Sequence, residues 1–294
     1  MKTPSVLRSP LAQACALAAM FVASPVQAAG PKAYQFTADG TNTSGDTLTI
    51  DHPALNGKSK FKPIVTQNFV GVYNPHPIGV SYDAANGRWR IENEDNAAIP
   101  LGSGFNVLIA PAKQTSCTPA NTFANRTFFQ LQKNKPAGRF LVTHMINPVS
   151  GIPGTNCEQY VGTWFSPVTT PATPYSGRWT VYTEDETSLG TVAFNLADVT
   201  KLKAGGAPAS FVFTAGAADT VANQAVITDP LTDGNPDAVV FATHVFINGT
   251  SPTFLDKPLG VWYNGAKWTV FTQDVSIMPD DVSFVVAVIP TATP

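Results

Sequence analysis

The 294-residue chain carries a formal charge of −2, and 13% of its residues are charged against 44% hydrophobic. That hydrophobic share is too high for a disordered chain, and the near-neutral balance leaves no basic footprint for nucleic acid or for an acidic membrane surface. With 25 prolines and 22 glycines, the composition is that of a folded, weakly charged, turn-rich protein.

Residues 1–28 read as a secretory signal peptide. Lys2 and Arg8 supply a basic start, LAQACALAAMFVASPVQA an apolar stretch, and Val26 and Ala28 the small residues before a cleavage point. The apolar part is short for a bilayer span, and nothing later resembles one. The expectation is a secreted or periplasmic protein with no transmembrane span. Cys15 lies inside this segment, and the mature chain would not begin at a cysteine, which argues against a lipid anchor.

After the signal, the chain writes one hairpin three times. It reads GVSYDAANGRWRIENED near residue 80, GTWFSP and then GRWTVYTED near residue 162, and GVWYNGAKWTVFTQD from residue 260. Phe36, Pro53 and Thr66 match Phe213, Pro230 and Thr243 at a constant offset of 177. Past a short gap, Trp89, Asp95 and Phe105 match Trp268, Asp274 and Phe284 at an offset of 179. Two constant offsets over this length define a tandem repeat, with copies at 29–111, 112–206 and 207–294. The middle copy is the divergent one, anchored by Thr143, Trp179 and Asp185 and carrying the Pro-rich insertion SPVTTPATPYSG.

Within each copy the period is two. Trp268, Val270, Thr272 and Asp274 alternate with Thr269, Phe271 and Gln273, and the other copies repeat the pattern. Asn264-Gly265 suits the positive backbone angles of a hairpin turn. FKPIVTQNF, AVVFATHVF and SFVVAVI read as further strands, and no segment beyond the signal has a helical period. The fold class is all-β, three tandem homologous repeats, each sandwich- or barrel-like. Trp89, Trp179 and Trp268 share one position and are expected to fill the interior of each repeat. Asp95, Asp185 and Asp274 end the same strand, where carboxylates usually accept backbone N–H groups of the next turn; a calcium ligand is the sharper alternative.

The string GVWYN…KWTVFTQD…MP…F, with GVSYD…RWRIENED…IPLGSGFNV in the first copy, resembles a repeated domain of unknown function found in exported bacterial proteins. The resemblance covers nearly all of the mature chain. It is good in copies one and three and poor in copy two, which lacks the proline of the Ile99-Pro100 and Met278-Pro279 pairs. It implies a secreted β-repeat protein and brings no catalytic residue with it.

Residues that could carry chemistry are few. Cys117 and Cys157 remain after the signal, and in an oxidising compartment an even pair is most simply a disulfide across the second copy. His144 and His244 stand at one repeat position, where copy one has Gln67; two imidazoles and an amide could surround a metal if the copies met on a threefold axis. No carboxylate falls near either by spacing, so hydrogen bonds within each strand pair are the simpler reading. There is no serine-hydrolase elbow, zincin helix, Walker loop or EF-hand. No cofactor is expected.

The copies also differ informatively. Ser81, Trp164 and Trp262 are equivalent, as are Glu92, Tyr182 and Phe271. Copies two and three therefore pair Trp164 with Tyr182 and Trp262 with Phe271, suited to stacking on a sugar ring or to packing between copies. These readings favour an exported, non-catalytic protein binding a glycan or cell-envelope component through these four aromatics. The alternatives are an extracellular polymer-degrading hydrolase with its site at a repeat junction, or a structural or assembly protein.

Overall fold

A computed structural model describes residues 30–147, 155–171, 173–204 and 206–290; the signal segment lies outside the described residues. The first repeat forms β1 (Lys32–Thr37), β2 (Thr43–Ser44), β3 (Thr47–Ile50), β4 (Ile64–Asn68), β5 (Ile78–Asp83), β6 (Arg88–Asn93) and β7 (Gly104–Ile109). The second forms β8 (Ala112–Ser116), β9 (Thr122–Phe123), β10 (Arg126–Phe129), β11 (Phe140–Met145), β12 (Val161–Ser166), β13 (Arg178–Thr183) and β14 (Ala193–Asp198). A ribbon of β15 (Lys203–Ala204) and β16 (Ala207–Pro208) leads into the third repeat. That repeat forms β17 (Ser210–Ala215), β18 (Thr220–Val221), β19 (Gln224–Val226), β20 (Ala238–Phe246), β21 (Leu259–Tyr263), β22 (Trp268–Thr272) and β23 (Val282–Pro290). The protein is all-β, and among the described residues no helix is long and apolar enough to cross a membrane.

The strands assemble into three seven-stranded sheets, and each sheet is shared by two repeats. One runs β1-β7-β4-β21-β22-β19-β18, the second β17-β23-β20-β12-β13-β10-β9, the third β2-β3-β6-β5-β11-β14-β8. Every repeat thus gives three strands to one sheet and four to another. The joins are the parallel pairs β4–β21, β20–β12 and β11–β5, so repeat 1 joins repeat 3, repeat 3 joins repeat 2, and repeat 2 joins repeat 1. The connections close a ring.

Each repeat packs its two half-sheets face to face as a sandwich. Leu48, Val80, Trp89, Ile91, Phe105 and Val107 form the interior of repeat 1, and Val240, Val261, Trp268, Val270, Phe284 and Val286 that of repeat 3. The shared tryptophans are buried, at 0%, 3% and 2% exposure for Trp89, Trp179 and Trp268. Each indole N–H donates to a loop carbonyl, that of Lys58, Lys135 or Asn235. A buried indole needs that partner, which explains why the tryptophan and its loop recur together.

The strands β4, β11 and β20 are buried on both faces. Their alternate residues reach the centre of the ring, where Val239, Phe241 and Ile64 join the core of repeat 2. Polar pairing closes the centre. Thr143 Oγ1 accepts from the Val65 amide at 2.8 Å, Thr243 Oγ1 from the Val142 amide at 3.2 Å, and Thr66 Oγ1 from the Ala242 amide at 3.4 Å. These amides sit where no sheet partner exists, and the hydroxyl of a β-branched strand residue satisfies them.

The disulfide expected from sequence is not formed. Cys117 and Cys157 are both free, buried thiols. An even count allows a bridge but does not bring two Cβ atoms together. The Cys157 thiol instead contacts the Gln159 side-chain oxygen at 3.4 Å, and its amide donates to Glu94 Oε2. Burial first, then the Glu94 charge, pushes the Cys157 thiol up to about 12, and burial raises Cys117 too. Neither is a thiolate at neutral pH.

Candidate functional site at the repeat junctions

Each parallel join builds the same small constellation. At the join of repeats 1 and 2, His144 Nδ1 meets Glu94 Oε1 at 2.8 Å; at that of repeats 2 and 3, His244 Nδ1 meets Glu184 Oε1 at 2.6 Å. At the third, Gln273 Nε2 donates to Gln67 Oε1 at 3.2 Å. All six side chains are buried. The other end of the acid or amide is also used: Glu184 Oε2 accepts from the Leu255 backbone amide at 2.9 Å, and Gln273 Oε1 from that of Asn74 at 3.3 Å.

This arrangement explains the glycine that opens GVSY, GTWF and GVWY. Gly79, Gly162 and Gly260 lie where the acid or amide of the next strand folds across to the neighbouring repeat. A Cβ on Gly260 would stand 2.7 Å from Gln273 Nε2, and on Gly79 or Gly162 it would strike Glu94 or Glu184. The metal arrangement left open as the alternative is not assembled: His144, His244 and Gln67 sit at three separate joins, and among the described residues no group of three His, Cys, Asp or Glu side chains could hold a metal. Each histidine is bonded across repeats to a glutamate, not within its own strand pair as spacing suggested. Its Nε2 is buried with no protein partner among the described residues. Burial pushes the Glu94 carboxyl up, against the pull of His144.

The neighbouring aspartates do what strand-end carboxylates usually do. Asp95, Asp185 and Asp274 accept from the amides of Ala97, Thr187 and Ser276 at 3.1, 3.0 and 3.0 Å. Between each pair the chain turns through a positive φ, at Asn96, Glu186 and Val275.

Outside these locks the three joins differ. At that of repeats 3 and 1, Trp262 and Phe271 pack edge-on against Phe69, with ring centres 5.9 and 5.8 Å away, and Tyr73 lies 4.6 Å from Phe69. The aromatics fill the join. At that of repeats 1 and 2 the equivalent places hold Ser81 and Glu92, hydrogen-bonded to each other. At that of repeats 2 and 3, Tyr182 packs edge-on against Phe254 at 5.7 Å, and Phe254 against Phe246 at 5.1 Å, but Trp164 stands apart. Arg126 lies over the Trp164 ring at 4.9 Å, and the indole N–H donates to Asn248 Oδ1 at 3.3 Å.

A hollow of about 210 Å³ results, lined by Asn125, Arg126, Trp164, Tyr182, Phe246, Asn248 and Phe254. Tyr182 is its anchored wall. The phenol donates to Glu184 Oε2 at 3.1 Å and lies 3.0 Å from His244 Nδ1, so the buried lock fixes the ring. Burial, then the Glu184 charge, raises the phenol well above its usual range, so it stays protonated. A second, apolar hollow of about 450 Å³ lies beyond Phe246, walled by Phe165, Trp179, Val212 and, from the insertion of repeat 2, Pro167 and Val168.

Of the four aromatics singled out from sequence, the structure brings Trp164 and Tyr182 to this hollow and Trp262 with Phe271 to the filled join. Phe246, Phe254 and Arg126 have no part in the sequence reading of the site, and Glu94 and Glu184, legible there only as strand-end carboxylates, are the partners of the histidines.

The fold and joins define an all-β protein of three interlocked repeats. The family model for a domain of unknown function (DUF7452) matches three times, over residues 18–109, 79–198 and 173–288, and the chain belongs to that family. Comparisons with curated proteins and with solved structures found no match.

Proposed function

We propose that this chain is an exported, non-catalytic protein that binds a glycan or other cell-envelope component at the join of repeats 2 and 3. The observation that carries this reading is the contrast between equivalent joins. Where repeats 3 and 1 stack four aromatics on one another, repeats 2 and 3 hold Trp164 away from its counterparts and leave a polar-edged aromatic hollow. Aromatic faces with a few placed polar groups are the usual makings of a saccharide-sized site. The hydrolase alternative draws no support from Glu94 and Glu184, which are buried and engaged in the locks.

Retention on immobilised envelope glycans tests the reading. Trp164→Ala should weaken retention by roughly fivefold to tenfold, the worth of one stacked aromatic. Trp262→Ala should retain glycan as the unaltered protein does. Equal losses in both variants, or no retention by the unaltered protein, would remove the assignment.

A further inference from the structure

Arg126 is peculiar to repeat 2. It stands directly across from Tyr182 in the β10–β13 pair, so the two side chains share a face. The equivalent places hold Thr47 across from Glu92 in repeat 1 and Gln224 across from Phe271 in repeat 3. The guanidinium has thus arrived at the join that holds the aromatic hollow. Among the described residues it has no carboxylate within ion-pair distance; its Nε and Nη2 donate instead to Asn125 Oδ1 at 3.2 and 3.1 Å.

The hydrogen-bonding groups around the hollow can be accounted for atom by atom. Asn125 Oδ1 is taken by Arg126, and Asn248 Oδ1 by the Trp164 indole. The Tyr182 hydroxyl is committed to Glu184. Arg126 Nη1 and Asn248 Nδ2 are left over as donors. Glu184, the carboxylate behind Tyr182, has both oxygens taken, by His244, Tyr182 and the Leu255 amide. A half-buried cation without a carboxylate partner, beside apolar rings and with donors to spare, is complementary to an anionic oxygen pair.

We infer that the hollow selects a carboxylated sugar of the uronic-acid type, its ring among the aromatic walls and its carboxylate received by Arg126 and Asn248. This rests on the glycan-binding reading above and adds the chemical class. Arg126 Nη1 and Asn248 Nδ2 together offer a donor to each carboxylate oxygen beside a positive charge, which a neutral hydroxymethyl group cannot exploit.

Calorimetry on the full chain with a panel of uronic-acid oligosaccharides and their neutral parents tests it. At least one acid should bind about tenfold or more tighter than its neutral parent, with the preference weakening as salt rises. In Arg126→Gln the acid should lose its advantage over its neutral parent. Arg126→Lys, which keeps the charge but not the fork, should keep part of it and carries the test if the Gln variant does not fold. Acid and neutral sugars binding alike, or a preference that survives Arg126→Gln, would overturn the inference and leave glycan binding standing. Failure of every member of the panel to bind would overturn both.

Discussion

Glu94 and His144 come from different repeats and meet with both side chains buried, as Glu184 and His244 do at the next join. Removing one member of such a pair strands the other, at a cost of about 3–5 kcal/mol, whereas replacing both by mutually satisfied neutral groups costs far less. The molecule holds its own control, since Gln67 and Gln273 occupy the third join. The expected outcome for Glu94→Gln with His144→Gln is therefore a smaller loss than the two single losses added together, with a coupling above about 1 kcal/mol by urea denaturation. Strict additivity would show that the pair does not act as a unit. The sequence did carry this signal in part: His144 and His244 were recognisable as equivalents of Gln67. Their partners stand one residue before the aspartates that drew attention. The copies read Glu-Asp, Glu-Asp and Gln-Asp there, varying in step with His, His and Gln. The step is offset by one repeat, so local spacing could not show it.

The hairpin was legible at the scale of the element because alternation of Trp, Val or Ile with polar residues reports a half-buried strand directly. The expected turn needed adjustment: Asn264 accepts from the amides of Ala266 and Lys267, and Gly265 supplies the positive φ within a longer loop. What the pattern could not report is which strand lies beside the hairpin. The parallel joins of β5, β12 and β21 to other repeats depend on close approach over Gly79, Gly162 and Gly260, not on any periodicity. Gly260→Ala should accordingly destabilise by about 1–3 kcal/mol, the usual cost of overpacking. Gly190→Ala and Gly216→Ala, where an added methyl meets nothing within 4 Å, should change stability little. Comparable melting temperatures for all three variants would mean that the strand pairs loosely at the join.

The whole molecule is a ring because three repeats each lend strands to a neighbour, with Thr66, Thr143 and Thr243 closing the centre. The threefold repetition was plain from constant offsets, and the sandwich within each repeat followed from the shared tryptophans. The sharing of sheets was not, because sequence repetition fixes what each unit contains and not where its edges pair. Near-symmetry gives the account its leverage, since each join is a natural comparison for the others. Aromatics fill one join, a serine and a glutamate hold the equivalent places at the second, and the third leaves an aromatic hollow beside Arg126. The claim that binding belongs to the third is most directly tested by amide hydrogen exchange of the full chain, with and without the oligosaccharide it retains most strongly. Slower exchange should be confined to residues 125–127, 162–166 and 246–254, around the lining of the hollow. Protection around Phe69, Tyr73 and Trp262 instead, or spread evenly over the three joins, would contradict the account.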